Sequence, residues 1–192
     1  MEERPYNRAL GRLRVLAAWG IVAVPLAFAR PTPVWLAAGL PLVAAGEALR
    51  LWAAGHLRKT VELATAGPYR HTRNPLYLGR LAIFTGLCVM ARLPYGLHWL
   101  LLAAGWTIFF GYYLPRKERV EPARLREAHG AIYESYRTSV PALFPTVRPR
   151  FPTDGRPWSA RRCLANREHW MLAVLLAAVA WLVFRTYSTP SA

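Results

Sequence analysis

At 192 residues the chain has room for one domain, and its 54% apolar content, gathered into blocks, excludes an ordinary soluble globule. A formal charge of +15 and a sequence pI near 11.0 would direct a soluble protein to nucleic acid, but the blocks make membrane topology the better account of where the charges fall. The two cysteines, Cys88 and Cys163, exclude a disulfide framework and a CxxC metal site.

The first apolar block, about residues 13–29, has four basic residues at its head, Arg4, Arg8, Arg12 and Arg14, and ends at the turn Arg30-Pro31-Thr32-Pro33. No small-residue cleavage site follows it, so it reads as a span and not as a removed leader. The second block, about 34–56, carries Glu47 and Arg50 near its inner end. Three residues apart, they share a helix face, and a snorkelling ion pair and a functional pair are equally open readings. The polar connector 57–73 contains turn chemistry at Gly67-Pro68-Tyr69, and Asn74-Pro75 opens the third block, 76–91. Arg92-Leu93-Pro94-Tyr95-Gly96 is a short link to a fourth block, 97–114, which makes these two helices antiparallel neighbours.

Beyond Pro115 the chain turns polar. Val120, Leu125, Ala128, Ile132 and Tyr136 recur at helical spacing within 116–137 and predict an amphipathic helix, with a break near Glu121 because Pro122 suits a first turn better than an interior. Residues 140–167, rich in Pro and Arg, predict an irregular loop, and a fifth block at 169–184 is the shortest. The expected fold is all-α: a polytopic membrane protein of about five transmembrane helices with a cytoplasmic amphipathic helix. It forms one domain over 1–192, with a motif core at 46–145, a basic loop at 146–167 and a C-terminal transmembrane helix at 169–185. With a cytoplasmic N-terminus, 22 of the 25 Lys and Arg fall inside, leaving Arg30, Arg92 and Arg185 outside. That bias requires no polyanion, so anionic headgroups and not nucleic acid are the expected partner of the charge.

Polar residues concentrate in two stretches, 67–79 and 116–136, at helix ends on one side, which points to a site at the membrane interface and not a pore. The first of them, Gly67-Pro68-Tyr69-Arg70-His71-Thr72-Arg73-Asn74-Pro75-Leu76-Tyr77-Leu78-Gly79, resembles the G-P-Y-x-x-x-R-[HN]-P-x-Y-x-G signature of the isoprenylcysteine carboxyl methyltransferase and phospholipid methyltransferase superfamily. Glu121, Leu125, Gly130, Tyr133 and Tyr136, followed by Val140-Pro141 and Pro145, resemble its second signature. Leu49-Arg50-x-Trp52-Ala53 is similar to a segment that precedes the first. The resemblance covers 46–145 in order and spacing, and departs from the pattern at Pro122, where the second Glu of an acidic pair is usual, and at His129, where Phe is usual.

What the resemblance implies is an integral membrane enzyme that transfers a methyl group from S-adenosylmethionine to a lipid-type or prenylated acceptor. It places Tyr69, Arg73, Asn74, Pro75, Tyr77, Glu121, Tyr133 and Tyr136 at the cofactor. Lys117, one helical turn before Glu121, would be the basic residue at the acceptor, with Arg116 beside it and Glu121 as the acid. These residue types suit the chemistry: a guanidinium grips a carboxylate in a fork, and aromatic faces attract a sulfonium. Pro68 and Pro75 suit plain turn-shaping better than ligand contact, and Tyr69 and Tyr77 suit an interfacial aromatic belt nearly as well as a cofactor site. His71, His98, His129 and His169 have no metal-ligand spacing, so no metal is expected. Two other readings stay open: a membrane reductase of related helical core using NADPH, and a non-catalytic lipid-binding subunit, which Pro122 favours.

Overall fold

Prolines open several helices of this chain, because a ring that fixes φ and lacks an N–H costs little in a first turn. The computed structural model describes residues 25–57 and 63–188. In it α1 (Pro33–His56) begins directly after Thr32, and α2 (Pro75–Ala91) directly after Asn74. A short turn at Pro94–Gly96 leads into α3 (Leu97–Ile108), which runs through a π-helical stretch, Phe109–Tyr113, into α4 (Leu114–Ser139). Two further helices follow, α5 (Ala160–Ala165) and α6 (Glu168–Ser188). Among the described residues there is no strand, and the chain is an all-α membrane protein.

Among the described residues three helical stretches are long and apolar enough to cross a bilayer: Pro33–His56, Pro94–Val120 and Glu168–Ser188. At 17 residues, α2 reaches only about 25 Å, short of a hydrocarbon core of about 30 Å. Most of the expected first span lies outside the described residues. Its end packs on α6, where Trp181 Nε1 donates to the Leu26 carbonyl at 3.0 Å and Arg185 donates to that of Ala29 at 2.9 Å.

Glycine brings α1 and α2 together. A Cβ at Gly39 would lie 2.4 Å from the carbonyl oxygen of Gly86, and one at Gly46 would lie 2.6 Å from that of Gly79. Gly39 and Gly46 are seven residues apart, as are Gly79 and Gly86, so each pair repeats after two turns on one helix face. Lipid gives apolar side chains no reason to desert it, and close backbone approach supplies the attraction between helices. Around this seam Val43, Ile83, Met90, Ala91, Leu175 and Leu182 form the buried core with Ala29.

The expected break near Pro122 is absent. Its missing N–H costs only the bond to the Glu118 carbonyl, and α4 continues to Gly130, whose φ of 50° and ψ of −127° end the helical path there. A side chain resists that conformation and glycine does not. Upstream, Pro115 cannot donate to Gly111, and the wider π-turn just before it takes up the misfit.

The stretch expected to be wholly irregular contains α5, which is held against the end of α1. The last carbonyls of a helix have no partner within it, and here donors from residues 158–166 supply one. Ser159 N donates to Gly55 at 3.1 Å, Arg162 to Gly55 at 3.0 Å, and Asn166 Nδ2 to both Ala54 and Leu57 at 3.0 Å, while Trp158 Nε1 adds a bond to Leu51, a turn further in, at 3.0 Å.

Candidate functional site

The two polar stretches of the sequence meet at one end of the bundle. Residues 67–70 form a single helical turn that starts at Gly67, whose φ of 56° lets the His56 ring lie where a Cβ would stand. After it, Thr72 and Asn74 are almost wholly buried. Thr72 Oγ1 donates to the Leu143 carbonyl at 2.8 Å, Asn74 Nδ2 to Ala142 at 2.7 Å, and the Arg73 backbone N–H to Pro141 at 2.9 Å. The chain after α4 therefore buttresses the chain before α2.

With that backbone fixed, Asn74 stands just before α2 and Tyr77 in its first turn. Two residues from the start of α4 complete the cluster. Glu118 accepts from Arg73 at 2.8 Å and from Asn74 Nδ2 at 2.8 Å. Lys117 donates to Asn74 Oδ1, and its ammonium lies 4.4 Å from the centre of the Tyr77 ring. The same ring has Tyr113 beside it, at 5.5 Å between centroids, and the Arg80 guanidinium at 5.5 Å. Arg73, Asn74, Tyr77, Lys117 and Glu118 thus form one constellation across a separation of more than forty residues. Arg73 also presents two donors, Nε and Nη1, that are buried and find no hydrogen-bond partner among the described residues.

The remaining sequence-predicted residues are distributed around this cluster. Tyr69, Tyr133 and Tyr136 are buried. Tyr136 donates its hydroxyl to the Tyr69 carbonyl at 2.8 Å and meets the Phe151 ring edge-on, and together with Tyr133 and Val140 it makes a small apolar core. Pro75 is buried at the first position of α2. Arg116 is exposed and turned to Tyr112, whose hydroxyl accepts from it at 3.0 Å. Glu121 lies on α4, and its side chain is outside the described residues. Glu118 and Tyr113 were missed by sequence reasoning. Glu118 stands three residues before Glu121 and so shares its face of the helix, which was the available signal.

The pair Glu47 and Arg50 lies elsewhere. Arg50 pairs with Glu47 at 3.3 Å and, from the other side, with Glu168 at the start of α6, and all three residues are buried. Its stem runs over Gly79, where a Cβ would come within 2.6 Å. Among the described residues no group of acids, histidines and cysteines could hold a metal ion.

No curated protein and no solved structure matches the chain. A family model described as phospholipid methyltransferase matches residues 34–119, a stretch that includes Arg73, Asn74, Tyr77, Lys117 and Glu118 and stops short of Glu121, Tyr133 and Tyr136. By that match, residues 34–119 are similar to the phospholipid methyltransferase family, part of the integral membrane methyltransferase superfamily.

Proposed function

We propose that the chain transfers a methyl group from S-adenosylmethionine to a lipid-type acceptor at the membrane interface, with the cytoplasmic face as the site. The observation that carries this reading is the Arg73 guanidinium, held on one edge by Glu118 and left with two buried, unpartnered N–H groups on the other. Buried donors without partners are costly, and the amino-acid carboxylate of S-adenosylmethionine is a group that a guanidinium fork binds well. When bound, the cofactor supplies an electrophilic methyl on a sulfonium that becomes neutral as the methyl leaves.

The chain's own residues then have distinct tasks. Arg73 binds the carboxylate, and Glu118 and Asn74 fix the guanidinium so that little ordering remains to be done on binding. Tyr77 and Tyr113 present aromatic faces, which attract a cation. Lys117 lies against Tyr77 and is placed to hold an acidic headgroup or carboxylate in line for displacement, where alignment and exclusion of water supply most of the rate. Arg116 serves the outer rim, and Glu121 is assigned to the acceptor side. Tyr69, Pro75, Tyr133 and Tyr136 support the cofactor by fixing the backbone of 67–75. The acceptor, prenylated or phospholipid, enters sideways from the bilayer.

Titration of the purified chain with S-adenosylhomocysteine, S-adenosylmethionine and NADPH tests the reading directly. Binding of the adenosyl ligands, with radiolabelled methyl transfer into a lipid extract, is expected. Binding of NADPH alone would replace it with the reductase, and silence from all three with a lipid-binding subunit.

A further inference from the structure

We propose that residues 144–150 form a docking surface for the headgroup layer of an anionic phospholipid bilayer, separate from the methyl-transfer site. This loop is rigid for so irregular a path. Pro141, Pro145 and Pro149 restrict it, Leu143 anchors it in the protein, and backbone bonds from Thr146 to His71 (3.0 Å) and from Arg150 to Arg70 (2.9 Å) clamp it on the turn before α2. His71 Nδ1 adds a contact of 2.7 Å to the Thr146 carbonyl.

A loop fixed this firmly could have folded its apolar side chains inward. Instead Phe144 is 68% exposed and Val147 is 98% exposed. Arg148 and Arg150 are exposed beside them, and residues 145–150 line an open concavity. The nearest acid along the chain, Asp154, is occupied by Arg156 at 3.1 Å. The loop is also bonded to the end of the bundle where α1 stops and α6 starts, and the ends of helices long enough to span a bilayer fall at the headgroups. Apolar tips between cations suit that layer: the tips enter the acyl boundary and the guanidinium groups take lipid phosphates. Rigidity lowers the ordering cost of docking.

The test uses the full chain with Val147→Cys carrying a bimane. Native Cys88 and Cys163 are buried, so labelling is selective. The labelled chain is placed in nanodiscs of phosphatidylcholine alone or mixed with phosphatidylglycerol, with a shallow nitroxide on the acyl chains. Quenching is expected to be clearly stronger in the anionic discs. Arg148→Ala and Arg150→Ala should each weaken the loop's occupancy of that interface about fivefold, and reversal of both charges to Glu should abolish the difference, all with an unchanged helical circular dichroism spectrum. Equal quenching in both discs for the unmodified loop would overturn the proposal. So would a bimane response in neutral discs to dissolved glycerol phosphate or RNA that lipid charge fails to produce. Since no methyl donor is present, failure here leaves the methyl-transfer reading untouched, and failure of that reading leaves this result standing.

Discussion

Two arginines in this chain meet carboxylates in opposite ways. Arg50 is enclosed between Glu47 and Glu168, with side chains 3%, 8% and 7% exposed, whereas Arg73 and Glu118 are 14% and 24% exposed. Around Arg50 the helices are close, since its stem rests on Gly79. Around Arg73 the partners come from one side only. A sealed ion cluster ties helices together at the cost of desolvation, and a half-open one keeps donors ready for something that arrives. Residue type is alike in the two; the number of carboxylates and the access differ.

Exchanging the two arginines for alanine should split these roles. Arg50→Ala leaves two carboxylates buried against each other between α1 and α6, and loss of one partner from such a cluster costs about 3–5 kcal/mol. The thermal midpoint in detergent should fall steeply. An unchanged midpoint would mean that the cluster does not hold α6. Arg73→Ala is expected to leave the midpoint nearly in place and to weaken S-adenosylhomocysteine binding about 10- to 100-fold by calorimetry, the worth of a charge-assisted fork. If Arg73→Ala unfolds the protein and Arg50→Ala abolishes binding in a folded one, the assignment of roles is reversed.

How far the sequence could anticipate this comparison differs between its two halves. Glu47 and Arg50 were legible as a pair from their spacing, but Glu168 lies 118 residues from Arg50, and no local pattern couples them. The helices at 34–56, 76–91 and 169–184 were legible to within a few residues because lipid demands long apolar runs bounded by charge. The path of α4 was not, because a proline penalty is local and the surroundings decide whether one lost hydrogen bond matters. At the candidate site, Arg73, Asn74, Tyr77 and Lys117 could be named from motif order. That Glu118 faces Arg73 depends on the rotation of α4 relative to α2, which the motif does not encode. The α5 cap on α1 was hidden for a similar reason, since its donors serve carbonyls more than a hundred residues away.

Gly130 sharpens the contrast between packing and backbone. A Cβ there would meet nothing within 4 Å, so Gly130→Ala changes conformation alone. Its φ of 50° with ψ of −127° lies in a region that side chains avoid, and the strain is of order 1–3 kcal/mol. The substitution should lower the thermal midpoint less than Arg50→Ala does, and should loosen the Tyr136 contact to Tyr69, seen as faster amide exchange at residues 131–139. Full protection there would show that the turn tolerates a side chain and that the kink is not what seats Tyr136.

The smallest expected effect reads the sealed cluster from its rim. Burial, with a lesser push from the Glu168 carboxylate, raises the Cys163 thiol above the ordinary thiol range, and the thiolate is the reactive form. A thiol whose folded pKa exceeds its unfolded value adds stability that is complete below the unfolded value and is lost as pH rises through the folded one. Maleimide should therefore modify Cys163 slowly near neutrality, with a rate that climbs only at a pH above that of the unfolded chain. Because burial is the larger cause, Glu168→Gln should move the midpoint of this rate profile down slightly and not restore it. A midpoint already in the ordinary thiol range would mean that α5 does not stay closed on α1, and the tight enclosure that sets Arg50 apart from Arg73 would lose its nearest chemical witness.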